Sequence, residues 1–241
     1  DSDPASTHAA VDNDCDGALT DDDCDDTNPL IYPGATETVD DGVDDNCDGG
    51  DSVTCDDSYI VETPEALAAL RYCVEITGDL EISDTTITNT DDLLLLGTVG
   101  GDVIIEYNDT LVSVTLDELV NVSGSVRIIG NELLDSVSME KITQTGGSFG
   151  LQMNDNLTAV NGLNSLLSVG HDFYVMQNPF VENVHVNNIV SVGGMINIWG
   201  DAITSIEMTS LDEVLGYINI SSNYNLVHID FENLTYVGSR F

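Results

Sequence analysis

Apolar residues recur at a nearly constant spacing through most of the chain. Short strings such as GDVIIE (from residue 101), GSVRII (from 124) and GMINIW (from 194) place two apolar residues two positions apart. That alternation is typical of a short strand that buries one face. The first apolar residues of seven such strings lie 22 to 24 residues apart, and they are Leu80, Val103, Val126, Phe149, Phe173, Ile196 and Ile218. The seven copies predict a repeat protein whose stacked coils bury one continuous core.

A polar residue follows the first apolar residue of each copy by five positions. It is Asn in five of the seven copies, and the set is Thr85, Asn108, Asn131, Asn154, Asn178, Asp201 and Asn223. An Asn at a turn can bond backbone groups of neighbouring coils and form a ladder that satisfies buried polar atoms. We therefore assign these residues a structural role and no chemistry.

One short helix is predicted, at about residues 63–72. Thr63 is a suitable N-cap, Pro64 suits the first helical position, and Glu65 lies in the first turn. Cys55 and Cys73 flank this helix, and we expect them to form a disulfide bond.

The repeated pattern GDLEI-x-x-N-x-x-L-x-x-V, with Cys73 upstream, resembles the receptor L domain over residues 55–241. The resemblance implies a right-handed β-helical solenoid that is related to leucine-rich repeats. Members of that family bind proteins or support architecture, so the resemblance implies no enzyme. The predicted fold is all-β. We expect a right-handed β-helix or leucine-rich-repeat-like solenoid of about seven 23-residue coils over residues 54–241, after a small irregular module at residues 1–53.

The predicted N-terminal module is dominated by carboxylates that alternate with other residues. Residues 1–57 hold 19 of the 44 Asp and Glu residues and no Lys or Arg. Two strings, DNDCDG from residue 12 and DDNCDG from residue 44, place oxygen ligands at alternate positions before a Gly, as calcium loops do. The other interpretation of such a run is a solvated, disordered tail. The candidate calcium ligands are Asp12, Asp14, Asp16, Asp21, Asp23, Asp25, Asp26, Asp44, Asn46, Asp48 and Asp51, with Asp23, Asp25 and Asp26 able to form or share a third site.

The run DNDCDG…DCDDTNPLIYPGATE…DGVDDNCDG resembles the Asp- and Cys-rich metal-binding repeat of secreted bacterial surface proteins over about residues 8–52. Residues 12–23 are also similar to thrombospondin type 3 calcium repeats. Cys15, Cys24 and Cys47 can form at most one pair within the chain, and a bond between Cys15 and Cys24 is slightly favoured over the others. Disulfides together with calcium indicate an oxidising compartment, so we expect a secreted, extracellular or cell-surface protein.

Charge excludes several classes of partner. The chain has 241 residues, with 44 Asp and Glu against 4 Lys and Arg, and a net charge of -40. Binding to nucleic acid or to an anionic membrane surface needs the basic residues that are missing here. The sequence also contains no run of 18 apolar residues, so we expect no membrane insertion.

Outward positions of the predicted strands carry apolar residues where a solvated sheet would carry Thr, Ser and charge. Residues one and three positions after the first apolar residue point outward. An exposed apolar band is typical of an interaction surface, unless a flanking segment or the N-terminal module covers it. The band consists of Ile104, Ile129, Tyr174, Met176 and Trp199, with Tyr107 at its edge.

No catalytic motif is found, since G-x-S-x-G, P-loop and HExxH patterns are absent. Of the four histidines, His8, His171, His185 and His228, the last two are expected to face solvent without a catalytic or zinc-binding role. We expect a calcium-stabilised, non-enzymatic structural or adhesion protein that self-associates into fibres or a surface layer through its solenoid ends and calcium module. The alternatives are a monomeric ectodomain that recognises a protein or glycan, and a polysaccharide-active β-helix enzyme.

Overall fold

The computed structural model describes residues 12–200 and 202–238. The chain splits into two compact units, Asp1–Thr54 and Cys55–Phe241. Within the described residues, no helix is long and apolar enough to cross a membrane.

In its described residues, the C-terminal unit is built almost entirely of short strands, with the α-helix α1 (Pro64–Ala68) and 3-10 turns at Asp91–Leu93 and Leu163–Ser165. In chain order the strands are β1 (Val53–Cys55), β2 (Tyr59–Val61), β3 (Cys73–Ile76), β4 (Leu80–Ser83), β5 (Thr98–Val99), β6 (Val103–Glu106), β7 (Ser113–Thr115), β8 (Asn121–Val122), β9 (Val126–Ile129), β10 (Ser136–Ser138), β11 (Gln144–Thr145), β12 (Phe149–Gln152), β13 (Ala159–Asn161), β14 (Ser168–Val169), β15 (Phe173–Met176), β16 (Asn183–His185), β17 (Ser191–Val192), β18 (Ile196–Trp199), β19 (Ser205–Glu207), β20 (Glu213–Val214), β21 (Ile218–Ser221), β22 (His228–Asp230) and β23 (Tyr236–Val237). Strand β1 begins at Val53, two residues before the unit boundary.

Strands from successive coils pair in parallel and in phase. One sheet contains β2, β4, β6, β9, β12, β15, β18 and β21, and a nine-stranded sheet runs from β1 to β23. Two three-stranded sheets, β7–β10–β13 and β16–β19–β22, form further faces. The register joins equivalent positions, so that Val126 pairs with Phe149 and Phe149 with Phe173. The predicted solenoid with coils of about 23 residues is therefore confirmed.

The solenoid has about eight turns because one more strand precedes the seven recognised copies. Tyr59 and Val61 pair with Leu80 and Ile82, and Val61 is buried like the inward residues of the later coils. The string around Tyr59 lacks the preceding Gly of the other copies, and α1 lies between it and the next copy. Because of these two differences, the first turn cannot be recognised as a copy of the repeat from the sequence.

The core is a column of inward side chains from every coil. Leu80, Val103, Val126 and Phe149 are completely buried, and the rings of Phe149 and Phe173 stack with centroids 5.7 Å apart. In an isolated coil, these inward side chains would be exposed to solvent on the two sides where neighbouring coils stack. Stacking therefore supplies the burial that stabilises the unit.

The predicted ladder is confirmed from Asn108 to Asn178, while Asp201 lies outside the described residues. Asn108, Asn131, Asn154 and Asn178 are buried. The Oδ1 atom of Asn131 accepts hydrogen bonds from the backbone N–H and the Nδ2 of Asn108, at 3.0 Å each. The Nδ2 of Asn131 in turn donates to the carbonyl oxygen of Ile105, at 3.0 Å. The ladder thus satisfies backbone groups that would otherwise be unpaired in the core.

Helix α1 is shorter than predicted. Thr63 is the N-cap and accepts a hydrogen bond from the N–H of Ala66, as the sequence indicates, but the helix ends at Ala68 rather than near residue 72. The N–H groups of Leu70 and Arg71 bond three residues back, to Leu67 and Ala68. The tighter turn is consistent with the start of β3 at Cys73, which is bonded to Cys55.

The disulfide between Cys55 and Cys73 is confirmed, whereas the pair Cys15 and Cys24 is wrong. Cys24 is bonded to Cys47, with Cα atoms 5.6 Å apart, and Cys15 is free and exposed. Backbone hydrogen bonds from Tyr32 to Asp45 and from Gly34 to Asn46 fold the chain back between these two cysteines. That turn brings Cys47 to Cys24, although the two are far apart in sequence.

Candidate metal centre

The N-terminal unit contains two loops with the same backbone conformation. The first loop is residues 12–17 and the second loop is residues 44–49. Cys15 and Cys47 have positive φ angles of 67° and 56°, and Gly17 and Gly49 have φ angles of 107° and 114°. Glycine adopts such angles without a steric penalty, which explains its place at the end of each string.

The first Asp of each loop holds the loop closed. Asp12 accepts hydrogen bonds from the N–H of Cys15, at 2.7 Å, and of Gly17, at 3.2 Å. Asp44 accepts from the N–H of Asp48, at 3.0 Å, and of Gly49, at 2.9 Å. Each loop therefore curls around its first carboxylate.

The first loop brings carboxylates from three positions together. Ligand oxygens of Asp14, Asp16 and Asp23 all lie within 4.8 Å of one another, and those of Asp12, Asp14 and Asp26 do the same. The Oδ2 atoms of Asp14, Asp16 and Asp23 are buried and accept no hydrogen bond within the described part of the chain. Buried, unpaired carboxylate oxygens are unfavourable unless a cation neutralises them. This arrangement fits a metal ion.

The electrostatics of the cluster agree with its geometry. Desolvation raises the pKa of the Asp14 carboxyl above its ordinary value, and the carboxylates of Asp16, Asp23 and Asp12 raise it further. The hydrogen bond from the N–H of Asp16 acts in the opposite direction. A bound cation would act against this upward shift of the pKa, because it stabilises the carboxylate.

Asp26 behaves differently from Asp14. It accepts hydrogen bonds from the hydroxyl of Thr20, at 2.5 Å, from the backbone N–H of Asn13, at 2.8 Å, and from the Asn13 side chain. The bond from Thr20, followed by that from the Asn13 backbone, lowers the pKa of Asp26. Its charge is therefore already stabilised by the loop, so Asp26 both orders the first loop and lies close to Asp12 and Asp14.

The second loop shows a less complete site. Within the described residues, Asp44, Asp48 and Asp51 do not converge as a group of three acidic ligands. The Oδ2 of Asp51 accepts from the N–H of Gly42, at 2.8 Å, while its Oδ1 is buried without a partner. Asn46 directs its Oδ1 to the N–H of Asp48, at 2.9 Å. A second ion at Asp44, Asn46, Asp48 and Asp51 stays a prediction.

Two other predicted ligands lie apart from the clusters. Asp25 accepts a hydrogen bond from the hydroxyl of Thr27, at 2.6 Å, and stabilises a turn. Asp21 joins none of the carboxylate groups among residues 12–52. Asp23 and Asp26 belong to separate groups, so the structure does not gather them with Asp25 as one third site.

Glu37 is a functional residue that the sequence reading missed. Its two carboxylate oxygens accept from the N–H groups of Asp45, at 3.3 Å, and Asn46, at 3.2 Å. It therefore holds the second loop from outside the D-x-N-x-D string. The sequence does not indicate this contact, because Glu37 lies outside the string and only the turn at residues 31–34 brings the two together.

The ligand atoms that converge within residues 12–26 are hard oxygens, and the free thiol of Cys15 joins none of the groups of ligand atoms in the described residues. Residues 12–52 contain no His and no Met. Cys24 and Cys47 lie beside Asp23, but their sulfur atoms form a disulfide and offer no thiolate. Oxygen-only donor sets of this kind fit calcium, whereas copper in proteins is usually bound by imidazole or sulfur ligands.

The outer face of the eight-stranded sheet carries the apolar residues predicted to form an interaction surface. Ile104, Ile129, Tyr174, Met176 and Trp199 are all partly exposed there, and Tyr107 is half exposed at the edge. Register places Met176 beside Trp199, and the Trp199 indole N–H donates to the Met176 sulfur at 2.8 Å.

The apolar residues on this face form two groups rather than one band. Gly150 and Gln152 of β12 separate Ile104 and Ile129 from the group of Tyr174, Met176 and Trp199. The Tyr174 ring lies directly over Gly150, where a Cβ atom would approach it to 1.9 Å. Desolvation of the hydroxyl in this position raises the pKa of Tyr174, while the charge of Arg127 lowers it. An interaction at this face stays a prediction.

A comparison with protein families matches the N-terminal unit. The matching family is described as "Putative metal-binding motif" and carries the name Cu-binding MopE, and the match covers residues 4–21 and 23–52. The match includes both loops, but about four fifths of the chain lies outside it. No curated protein and no solved structure matches the chain. His8 falls in the matched range but lies outside the described residues.

Proposed function

We propose that the N-terminal unit binds calcium and that the whole chain is a secreted, non-enzymatic structural or adhesion protein stabilised by that ion. The observation that carries the proposal is the set of buried, unpartnered Oδ2 atoms of Asp14, Asp16 and Asp23. These three carboxylates, with Asp12 beside them, would hold the ion. The ion would neutralise these carboxylates and link them together, so that residues 12–26 keep one conformation.

Calcium is favoured over the other ions that such a unit could take. Calcium accepts six to eight oxygen ligands in flexible geometry, which suits several carboxylates on an irregular loop. Magnesium needs near-ideal octahedral geometry and keeps most of its waters. The copper in the matching family's name does not fit these oxygen donors, since the sulfur atoms of Cys24 and Cys47 form a disulfide and the free thiol of Cys15 joins no ligand group among the described residues.

The calcium proposal is tested by calorimetric titration of the full chain with Ca²⁺ and, in a second arm, Cu²⁺. We expect Ca²⁺ binding that Asp16→Asn weakens about tenfold or more, since a lost ligand should matter at least as much as a lost outer-shell partner. Asp21→Asn makes the same charge change in the same unit, but Asp21 joins no ligand group, so it should change the affinity little. Equal effects of the two variants, or no Ca²⁺ binding, would contradict the proposal.

The secreted location is supported by two disulfides, which persist in oxidising compartments. The structural role is supported by the solenoid, whose repeated polar residues pair with one another between coils. A screen on acidic polysaccharides should find no chain cleavage, and cleavage there would favour the β-helix enzyme instead.

One observation favours contact with a partner through the outer sheet face. Met176 and Trp199 form a partly exposed apolar pair there. We propose that another copy of the chain binds at this pair, and that a protein or glycan ligand is the alternative. Sedimentation velocity in calcium buffer should show association that Trp199→Asp abolishes, while Ser221→Asp, one strand further along the same row, leaves it intact. A monomer both with calcium and with chelator would reject self-association.

A further inference from the structure

The outer face of the sheet β16–β19–β22 carries a second cluster of metal-ligand side chains, which is separate from the proposed calcium site. The register pairs His185 with Glu207 and Glu207 with Asp230, in one row across the three strands. A second row pairs Ser205 with His228. Val184 and Ile206, the central residues of β16 and β19, are buried, so the residues on both sides of them point outward, and β22 continues the same register.

In this arrangement one carboxylate lies between two imidazoles. The Oε1 of Glu207 is 3.5 Å from the Nε2 of His185 and 4.0 Å from the Nε2 of His228. The side chains are 30% exposed for Glu207, 40% for His185 and 53% for His228, so that an ion from solvent can reach all three.

We propose that His185, Glu207 and His228 bind a divalent transition-metal ion of the zinc class on the outer face of this sheet. Two imidazoles and one carboxylate, with the fourth position left to water, form a donor set that zinc takes in proteins. Metal–ligand bonds of about 2.1 Å in a tetrahedral site separate neighbouring donor atoms by about 3.4 Å. The Glu207–His185 distance already matches this value. The three ligand atoms do not all lie within 4.8 Å of one another, so the exposed His228 side chain must turn toward Glu207 and His185 when the ion binds.

The surrounding residues support this site. Ser205 places its Oγ 2.5 Å from the Nε2 of His185, and Asn187 places its Nδ2 3.5 Å from the other oxygen of Glu207. The Asn187 contact orients Glu207, as partners outside the ligand shell do in metal sites. The Ser205 hydroxyl contacts the same His185 nitrogen that would bind the ion, and a rotation about the Cα–Cβ bond of Ser205 frees that nitrogen.

Local charge also favours a cation. The Lys and Arg residues of the described part of the chain are Arg71, Arg127 and Lys141. None of them pairs with Glu207, because their ion-pair partners are Asp92, Asp102 and Glu118. Asp230 adds a second carboxylate next to Glu207 in the register. The net charge of -40 raises the local concentration of cations around the whole molecule.

The site is tested by calorimetric titration of the full chain with Zn²⁺ in excess Ca²⁺, which occupies the carboxylates of the first loop. We expect Zn²⁺ binding that His185→Ala and His228→Ala each weaken about tenfold or more. His171→Ala is the matched control, because His171 is exposed and lies outside this sheet, and it should leave the affinity unchanged. Equal Zn²⁺ affinity of wild type and the His185→Ala/His228→Ala double variant would overturn the proposal.

A measurement on the unaltered protein tests the site without requiring that the variants fold. In NMR spectra, Zn²⁺ should shift the imidazole signals of His185 and His228 together and leave those of His171 in place. Shifts at His171 alone, or at none of the three, would overturn the proposal. The NMR outcomes do not depend on the calcium proposal, since they are measured at the imidazoles themselves, whereas Asp16→Asn tests the first-loop carboxylates.

Discussion

Single Asn side chains connect the coils of the solenoid through their amide groups. The amide of Asn131 accepts from Asn108 and donates to the Ile105 carbonyl, and the N–H of Asn131 bonds to the next Asn of the ladder, Asn154. All of these groups are buried, so a missing partner leaves polar atoms that water cannot reach. The ladder is therefore a point where one residue affects three coils.

Replacing Asn131 with Ala should destabilise the solenoid strongly. Each buried donor or acceptor left unpaired costs about 1–3 kcal/mol, and the change removes the Asn131 Oδ1 acceptor of the N–H and the Nδ2 of Asn108. Chemical denaturation of the full chain measures the loss. Asn156→Ala is the matched control, because the Asn156 amide bonds the Glu132 carbonyl on an exposed surface. Equal losses for the two variants would contradict the role of the ladder.

The first-loop carboxylates should make calcium binding depend on pH. The pKa of Asp14 is raised above 3.8 by desolvation and by neighbouring carboxylates. The protonated form of Asp14 therefore stabilises the calcium-free unit below pH 3.8, and this contribution is lost as the pH rises through the folded-state pKa. Calcium needs the carboxylate, so its affinity should rise over the same pH range.

Calorimetric titrations between about pH 4 and pH 7 measure this dependence. The affinity for calcium should fall on acidification, and the fall should begin at a higher pH than an unperturbed aspartate would give. Asp14→Asn should bind calcium more weakly at neutral pH and show a flatter profile. A wild-type affinity that does not change over this range would show that Asp14 is no ligand.

At the residue scale the sequence indicates the Asn ladder because the same residue type recurs at one position. A second ladder is not evident, although its geometry is similar. Asp102 accepts from the N–H of Ser125, at 2.7 Å, and Ser125 in turn accepts from the N–H of Ser148, at 3.0 Å. Both Asp and Ser occur at this position, for example Asp79, Asp102, Ser125 and Ser148, and both are common in loops. Their side chains become recognisable as a ladder only after the coils are in register.

Glycines at one corner allow neighbouring coils to approach closely. A Cβ atom on Gly146 would lie 2.1 Å from the carbonyl oxygen of Ser123 in the preceding coil, and one on Gly170 would lie 2.0 Å from the oxygen of Gly146. Backbone atoms cannot move aside as a flexible side chain can. The corner therefore requires glycine because a Cβ atom would clash with the backbone of the neighbouring coil, and not because the backbone angle is left-handed.

Gly146→Ala should consequently destabilise the solenoid by about 1–3 kcal/mol, the usual cost of overpacking. Gly97→Ala is the control, because its Cβ would meet the Val74 oxygen at 3.5 Å, an ordinary contact. Since alanine restricts the unfolded chain, this control should be neutral or stabilising by up to about 1 kcal/mol. Thermal and denaturant unfolding compare the two. A neutral Gly146→Ala variant would mean that the corner is less tightly packed than the structure shows.

At the element scale, the strand positions follow from the sequence, because apolar residues alternate and the copies repeat. The end of α1 does not, since the disulfide to Cys73 and the start of β3 override the helical pattern. The cluster of His185, Glu207 and His228 is also invisible in the sequence, where 43 positions separate the two histidines. It appears only when β16, β19 and β22 are aligned.

The two units of the molecule differ in what holds them together. Nearly all buried apolar residues belong to the C-terminal unit, whereas Ile31, which is 7% exposed, is the one buried apolar residue among residues 12–54. A disulfide that closes a loop of this length contributes about 3 kcal/mol to the N-terminal unit. The rest must come from hydrogen bonds and the proposed ion, because hydrophobic burial is too small there.

The whole molecule should therefore unfold in two steps that respond differently to calcium. An ion at tenfold excess over its dissociation constant adds about 1.4 kcal/mol per site, which is large for a unit with almost no apolar core. Chelation should lower the melting temperature of residues 12–54 and leave that of the solenoid unchanged. Calorimetry of the full chain with and without chelator, repeated on Asp16→Asn, separates the steps, because the variant should already melt like the chelated wild type. If chelation lowered both transitions equally, the two units would unfold together, and calcium would stabilise the solenoid as well.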